Sequence, residues 1–239
     1  MNHSKLPKLL LAICLIWVIA ACRMQGTPTP VVPDDSLLSQ RPCSPPCWQG
    51  LTPGVTSYEE AYRFVQDNPL VNGNVDTRGG ERPLVWWWAG ENHDPRRSNT
   101  FGIDSNHIVE QIIVHPNTDI SMRDVLRTYA TPTFLQMRVH QQYGLLDDIP
   151  DGIWITAYYV PHNLEVSWFI ETQIKNPMQF CPSLATSATE ITFNTPKITE
   201  SDQADLLSKV SRGNLVLTGD SIVHIMDGKV TIDCVEIKW

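Results

Sequence analysis

Two clusters of charged side chains have residue types that could do chemistry. The segment "GENHDPRRSN" brings His93 close to Glu91 and Asp94, a set that could hold a cation or transfer a proton. The segment "LLDDIPDG" places three aspartates near a turn, which could bind Ca²⁺. Neither spacing matches an established metal loop or catalytic motif. Both clusters are therefore interpreted as solvated surface loops, and the sequence indicates no catalytic residue, no metal site and no cofactor.

An apolar run near the start of the chain predicts export. Residues 9–20, "LLLAICLIWVIA", follow a start that carries two lysines and no acid. The run is shorter than the roughly 20 residues that cross a membrane as a helix. An uncleaved N-terminal helix is the alternative interpretation. The pattern favours a signal peptide over residues 1–21.

The residues "IAAC", which end at Cys22, resemble the lipobox of bacterial lipoproteins. In that pattern an aliphatic residue and two small residues precede a cysteine. The resemblance implies that the chain is cleaved before Cys22 and that the Cys22 sulfur is acylated, for example with palmitate. Each buried methylene contributes roughly 0.8 kcal/mol, so two or three acyl chains anchor a protein firmly. The expected location is the extracytoplasmic side of the cell membrane or the outer membrane, with membrane lipid as the partner of Cys22.

The segment after the cysteine differs in composition from the rest. Residues 22–42 contain four prolines and no apolar periodicity, so they are predicted to form a tether. From residue 22 onward the chain has 16 basic and 26 acidic residues, a net charge of −10. This acidic balance argues against nucleic acid as a partner.

Four cysteines remain when Cys14 leaves with the signal peptide and Cys22 carries lipid. In an exported chain they are expected to form disulfides. The favoured pairing joins neighbours in "CSPPC" and two cysteines in the last part of the chain. These are Cys43 with Cys47, and Cys181 with Cys234. A zinc half-site at the first pair is the alternative, but no matching second pair follows at short spacing.

A similar order of elements occurs twice after the tether. In residues 43–117 a helix capped by Thr56 or Ser57 precedes antiparallel strands, and in residues 118–177 a helix capped by Ser121 does the same. One helix with a short meander cannot cover its own apolar face well, whereas two adjacent copies can. The predicted fold is α+β, with tandem helix-plus-antiparallel-meander repeats.

Residues 178–239 are predicted to form a C-terminal strand, helix and hairpin. The helix begins at Thr199 in "TESDQADLLSKVSRGN", and the hairpin turns at Asp227 and Gly228. This segment is expected to be an addition to the two preceding units and could be a degenerate third unit.

The segments "PGVTSYEE" and "ISMRDVLRTYATP" resemble signatures of the BamE/SmpA-like envelope lipoproteins. The tandem arrangement is similar to that of the β-lactamase inhibitor protein, and the resemblance covers about residues 49–172. It implies a binding or scaffold role in the cell envelope rather than catalysis.

Tryptophans are the strongest candidates for a binding face. Trp86 and Trp88 share one face of a predicted strand, and Trp154 begins another aromatic strand. Exposed tryptophans are used at protein interfaces, whereas buried ones pack in a core. The leading expectation is a non-enzymatic lipoprotein that binds another envelope protein as a scaffold. The alternative is a carbohydrate or small-ligand binding module that uses exposed tryptophans.

Overall fold

The computed structural model describes residues 34–76, 83–90, 94–141, 150–175, 177–195, 214–226 and 229–237. These ranges form a mixed α/β fold that has few helices and is mostly antiparallel sheet. The helices are α1 (Ser36–Ser39), α2 (Tyr58–Asp67), α3 (Met122–Tyr129) and α4 (Gly219–Ile222). The first seven strands are β1 (Val71–Asp76), β2 (Leu84–Trp88), β3 (Asn99–Ile103), β4 (Val109–Val114), β5 (Phe134–His140), β6 (Gly152–Tyr159) and β7 (Leu164–Glu171). The other six are β8 (Met178–Phe180), β9 (Glu190–Asn194), β10 (Asn214–Thr218), β11 (Val223–Met226), β12 (Lys229–Ile232) and β13 (Val235–Ile237). The predicted mixture of helix and antiparallel sheet is confirmed, but the sheet dominates and the repeats are not clear in it.

Nine strands form one continuous sheet. Their order is β1-β2-β3-β4-β9-β7-β6-β5-β10, and every neighbouring pair is antiparallel. The last part of the chain is therefore not a simple addition after residue 177, because β9 lies between β4 and β7 and β10 pairs with β5. Strand β10 was not expected from the sequence.

Strand β9 joins the two halves of the sheet in register. Phe193 lies opposite Ile112 of β4 and Leu164 of β7. All three side chains are buried. The apolar faces of the two halves consequently form one surface.

Serine caps start the two longer helices, as the sequence predicts. Ser57 accepts a hydrogen bond from the Glu60 backbone N–H, and the Glu60 carboxylate accepts one from the Ser57 N–H in return. Ser121 accepts from the Asp124 N–H at 3.2 Å. Each cap satisfies N–H groups that have no partner within the helix. Helix α3 ends at Ala130, whose φ of +62° lies in the region that favours glycine.

Helices α2 and α3 pack on the same face of the sheet. Phe64 of α2 lies edge-on to Phe101 of β3, with ring centroids 6.2 Å apart. Tyr129 of α3 contacts Tyr159 of β6 at 5.5 Å. We call this buried side the inner face of the sheet and the opposite side its outer face.

Residues 34–42, expected to belong to the tether, are part of the folded body. The buried Asp34 carboxylate accepts hydrogen bonds from the Trp48 indole and the Gln49 amide, both at 2.9 Å. The Tyr129 hydroxyl donates to the Leu37 carbonyl. Local composition did not reveal this docking, because its partners lie far along the chain.

The structure pairs Cys43 with Cys47 and Cys181 with Cys234, which is the pairing favoured from the sequence. The second disulfide holds the end of the chain against β8, which pairs with β13. Strands β11 and β12 pair as the predicted hairpin. The predicted helix from Thr199 and the turn at Asp227 and Gly228 lie outside the described residues.

Asp34→Ala is expected to lower the free energy of unfolding by about 2–3 kcal/mol. The change leaves the buried Trp48 indole N–H without its acceptor, and such a group costs about 1–3 kcal/mol. Urea unfolding followed by far-ultraviolet circular dichroism measures the loss. Asp35→Ala is the matched control, because the neighbouring Asp35 is exposed and makes no side-chain cap bond. Equal effects of the two changes would contradict the role given to Asp34.

Candidate functional site

The outer face of the sheet carries the polar side chains of the central strands. In β6, Ile153, Ile155 and Ala157 are buried on the inner face, whereas Thr156 and Tyr158 are half-buried on the outer face. This alternation follows from the period of two in a strand. Polar residues at outer positions therefore form rows across several strands.

One row crosses four strands. Thr156 of β6 lies opposite Gln136 of β5 and Ser167 of β7, and Ser167 lies opposite Glu190 of β9. The hydroxyls of Thr156 and Ser167 are hydrogen-bonded at 2.9 Å. The row places hydroxyl, amide and carboxyl groups side by side.

The outer face holds a cavity of about 290 Å³, which we call the outer cavity. Its lining residues are Gln136, Arg138, Trp154, Thr156, Tyr158, Glu165, Ser167 and Glu190. Each of these side chains has a polar atom, and two of them are aromatic. Ligand pockets typically span about 300–1,000 Å³, so this cavity suits a small ligand with many hydrogen-bonding groups.

Glu165 is the most perturbed ionisable group of the outer cavity. Its half-buried carboxylate accepts a hydrogen bond from the Asn194 amide at 2.7 Å. Burial raises the pKa of Glu165 from 4.5 to about 7, the Asn194 bond opposes the rise, and the charge of Glu190 adds to it. A carboxyl group that titrates near neutral pH inside a cavity is typical of a functional site, although structural networks also produce such shifts.

Glu190 has a weak basic neighbour in His115. The His115 Nε2 atom lies 3.8 Å from a Glu190 carboxylate oxygen. Burial lowers the pKa of His115 below 6.5, although the charge of Glu190 opposes this. His115 is therefore mostly neutral at pH 7 and does not balance the charge of Glu190.

Tyr158 and Trp154 supply the aromatic surfaces of the outer cavity. The Tyr158 hydroxyl donates to the Gln136 amide oxygen at 2.9 Å, and burial raises the pKa of Tyr158 to about 12. The Trp154 ring lies 5.1 Å from that of Phe169, in a tilted arrangement. Arg138 is exposed and lies opposite Trp154 across β5 and β6.

Two of the three tryptophans predicted to form a binding face do not reach the surface. Trp86 is 0% and Trp88 2% exposed, so the prediction of a binding face is wrong for both. The alternation of β2 turns them to the inner face, where Trp48 stacks on Trp86 at 5.6 Å. Trp154 alone of the three faces the outer cavity.

The remaining sequence candidates fall elsewhere. Cys22, His93 and the first two aspartates of "LLDDIPDG" lie outside the described residues. Asp94 forms an ion pair with Arg96 at 3.0 Å, which agrees with a solvated loop. Within the described part of the chain, no group of three or more His, Cys, Asp or Glu side chains could hold a metal ion.

Sequence reasoning missed Glu165 and Glu190. The available signal was weak: "LEVSWFIE" alternates apolar and polar residues, which predicts one face with polar groups but does not say which strands adjoin. The insertion of β9 beside β7 brings the two carboxyl groups to one cavity.

No family model matches the chain, and no curated protein or solved structure matches it. In the ranges that the structure describes, no helix is long and apolar enough to cross a membrane.

Glu165→Gln is expected to remove a fall in stability between about pH 4.5 and pH 7. In that window the folded protein keeps a proton that the unfolded chain has lost, so the free energy of unfolding of the unchanged protein decreases as pH rises. Relative to the variant, the decrease should total about 2–3 kcal/mol. Urea unfolding at several pH values measures the difference between the two proteins.

The matched control is Glu171→Gln, because Glu171 is exposed at the end of the same strand. This control should leave the pH dependence as it is. Parallel stability curves for the unchanged protein and Glu165→Gln would rule out a carboxyl group that titrates near pH 7 at this position.

Proposed function

We propose that this chain is a lipid-anchored extracytoplasmic binding protein whose outer cavity binds a small polar ligand, such as a carbohydrate unit. The observation that carries the proposal is the outer cavity itself, whose polar groups converge from four neighbouring strands. Groups on strands of a continuous sheet are held rigidly, which suits recognition of a defined ligand. The proposed role is binding rather than catalysis.

The chemistry of the lining supports a ligand rich in hydroxyl or amide groups. Gln136 and Glu190 can each bond polar groups, while Trp154 offers an aromatic surface to an apolar ring face. An apolar ligand would leave these groups without water or partners, which costs free energy. The set of polar groups at the outer cavity therefore favours the small-ligand alternative, with Trp154 in place of Trp86 and Trp88.

The anchor in this proposal is acylated Cys22, with the signal peptide removed. Because Asp34 is already docked on the body, the proposed tether is limited to residues 23–33, which lie outside the described residues. Eleven residues at about 3.3–3.6 Å each reach at most about 40 Å. The proposed anchor would therefore keep the folded body close to the membrane surface.

A duplicated origin of the two halves also belongs to this proposal. Helix α2 precedes β1 to β4, helix α3 precedes β5 to β7, and both helices start at a serine cap. The same order of elements supports two units of the BamE/SmpA-like kind in a tandem arrangement similar to that of the β-lactamase inhibitor protein, and with it a binding role in the envelope.

A protein partner in the envelope is the second candidate function. It is favoured by the β11–β12 hairpin, where Ile225 is 37% and Met226 is 73% exposed. Large apolar side chains at a surface are typical of protein contacts. In this alternative the hairpin, rather than the tryptophan strand, forms the scaffold contact.

Trp154→Ala is expected to weaken ligand binding at least tenfold while the protein stays folded. The change removes the aromatic ring that forms one wall of the outer cavity. The protein stays folded because the Trp154 side chain is only half-buried. Isothermal titration with a panel of neutral disaccharides, amino sugars and tripeptides measures the affinity.

Trp87→Ala is the matched control, because Trp87 is half-buried on β2, outside the outer cavity. It should leave the affinity unchanged. Equal losses in both variants would contradict a site at Trp154. A membrane protein that co-purifies with the chain and is lost on Met226→Ser, but not on Trp154→Ala, would favour the protein-binding alternative.

Cys22→Ser is expected to abolish lipid labelling and release the protein from membranes, because serine lacks the sulfur that the lipobox resemblance implies is acylated. Metabolic labelling with an alkyne fatty acid, followed by membrane fractionation, gives both readouts. Cys14→Ser, within the predicted signal peptide, is the control and should keep the label. Persistent labelling of Cys22→Ser would refute the proposed anchor.

A further inference from the structure

Opposite charges lie at two separate parts of the outer cavity. Arg138 is on β5, whereas Glu165 and Glu190 are on β7 and β9. Phe169 of β7 lies in line with Arg138 through Trp154 of β6, and Glu165 lies four residues away from Phe169 along β7. Two strand spacings of about 4.8 Å and four residues of about 3.3 Å separate the two backbones by about 16 Å. The cavity therefore has a cationic edge and an anionic edge.

Among the described residues, the anionic edge has little positive charge nearby. Glu165 accepts a hydrogen bond from a neutral amide, that of Asn194. Glu190 has the mostly neutral His115 beside it, and Thr192 donates a long hydrogen bond of 3.5 Å. Half-buried carboxylates without a cation are costly, and a ligand cation would offset that cost.

The cationic edge lines the same outer cavity as the anionic edge. Arg138 lies opposite Trp154, and both line the outer cavity. Tyr158 is within electrostatic reach of both edges: the charge of Glu165 raises its pKa and the charge of Arg138 lowers it. A guanidinium group can bind a carboxylate through two parallel hydrogen bonds.

We propose that the ligand of the outer cavity is a zwitterion, with an ammonium group bound by Glu165 and Glu190 and a carboxylate bound by Arg138. The proposal rests on the proposed binding function and narrows its ligand class. An extended chain advances about 3.3–3.6 Å per residue, so a peptide of two or three residues with free ends spans about 7–11 Å. The side chains of Arg138 and Glu165 both line the outer cavity and cover the rest of the distance between their backbones. The hydroxyl and amide groups of Gln136, Thr156 and Ser167 would then bond the middle of the ligand.

Other ligand chemistries fit these edges less well. A metal ion would use the carboxylates but leave Arg138 without a role, and the described residues offer no set of three ligands for one. A neutral sugar would bond the row of polar groups but leave the carboxyl groups of the anionic edge without a cation. A ligand with both charges satisfies both edges.

The test compares free and capped peptides on the full chain in detergent. Isothermal titration uses Ala-Ala-Ala and Ala-Ser-Ala, each with free ends, with an acetylated amine, or with an amidated carboxyl end. A neutral disaccharide of N-acetylglucosamine is the uncharged probe. We expect each cap to weaken binding of the peptides at least tenfold, and the disaccharide to bind more weakly than the free peptides.

Variants assign each end of the peptide to its edge. Arg138→Gln should weaken binding of the free peptide tenfold or more but leave the affinity for the amidated peptide unchanged. Glu165→Gln should weaken binding of the free peptide but leave the affinity for the acetylated peptide unchanged. Arg127→Gln and Glu171→Gln are the controls, because both residues are exposed away from the outer cavity. They should have no effect.

The outcomes separate this inference from the function on which it rests. The zwitterion would be overturned if the disaccharide or the capped peptides bound as tightly as the free peptides and Trp154→Ala abolished that binding. The outer cavity would then remain a binding site. An equal loss for free and capped peptides in Arg138→Gln would also overturn it. Failure of every probe to bind at millimolar concentration would overturn both the inference and the proposed function.

Discussion

The antiparallel register that β9 imposes between β4 and β7 is the constraint on which the rest of this structure depends. Side chains alternate between faces with a period of two, so a slip of one residue would exchange the two faces of a strand. In the observed register, Phe193 joins the core and Glu190 joins the outer cavity. One short strand thus fuses the apolar surfaces of two halves and completes a polar site on their other side.

The outer cavity lowers the stability of the fold that carries it. A carboxyl group with a pKa raised to about 7, such as Glu165, is ionised in the folded state only at a cost in free energy. The apolar inner face offsets that cost, since Trp86, Trp168 and Phe101 are fully buried there. The two faces therefore contribute differently to stability. Apolar burial on the inner face stabilises the sheet, whereas the half-buried polar groups of the outer face lower the free energy of unfolding.

The docked N-terminal segment connects the proposed anchor with this rigid body. The Asp34 carboxylate and the Leu37 carbonyl bond to Trp48 and Tyr129, which belong to the core. A membrane anchor at Cys22 would consequently be separated from these buried contacts only by residues 23–33, so the body would stay within about 40 Å of the lipid surface.

Features that depend on near neighbours were predictable from the sequence. The caps at Ser57 and Ser121, the hairpin of β6 and β7, and the pairing of Cys43 with Cys47 involve residues a few positions apart, so local chemistry determines them. The lipobox resemblance at Cys22 is equally local. The alternation of apolar and polar residues likewise indicated antiparallel sheet.

The tertiary structure decided what depends on strands that are distant in sequence. Alternation showed that Trp86 and Trp87 face opposite ways but not which side α2 would cover, and the core took Trp86. Likewise, the sequence of β7 contains Glu165 without indicating that β9 would lie beside it with Glu190. Residue types and their period set the two faces of each strand, whereas the pairing of strands across the sheet, a non-local choice, set which of those faces became a site.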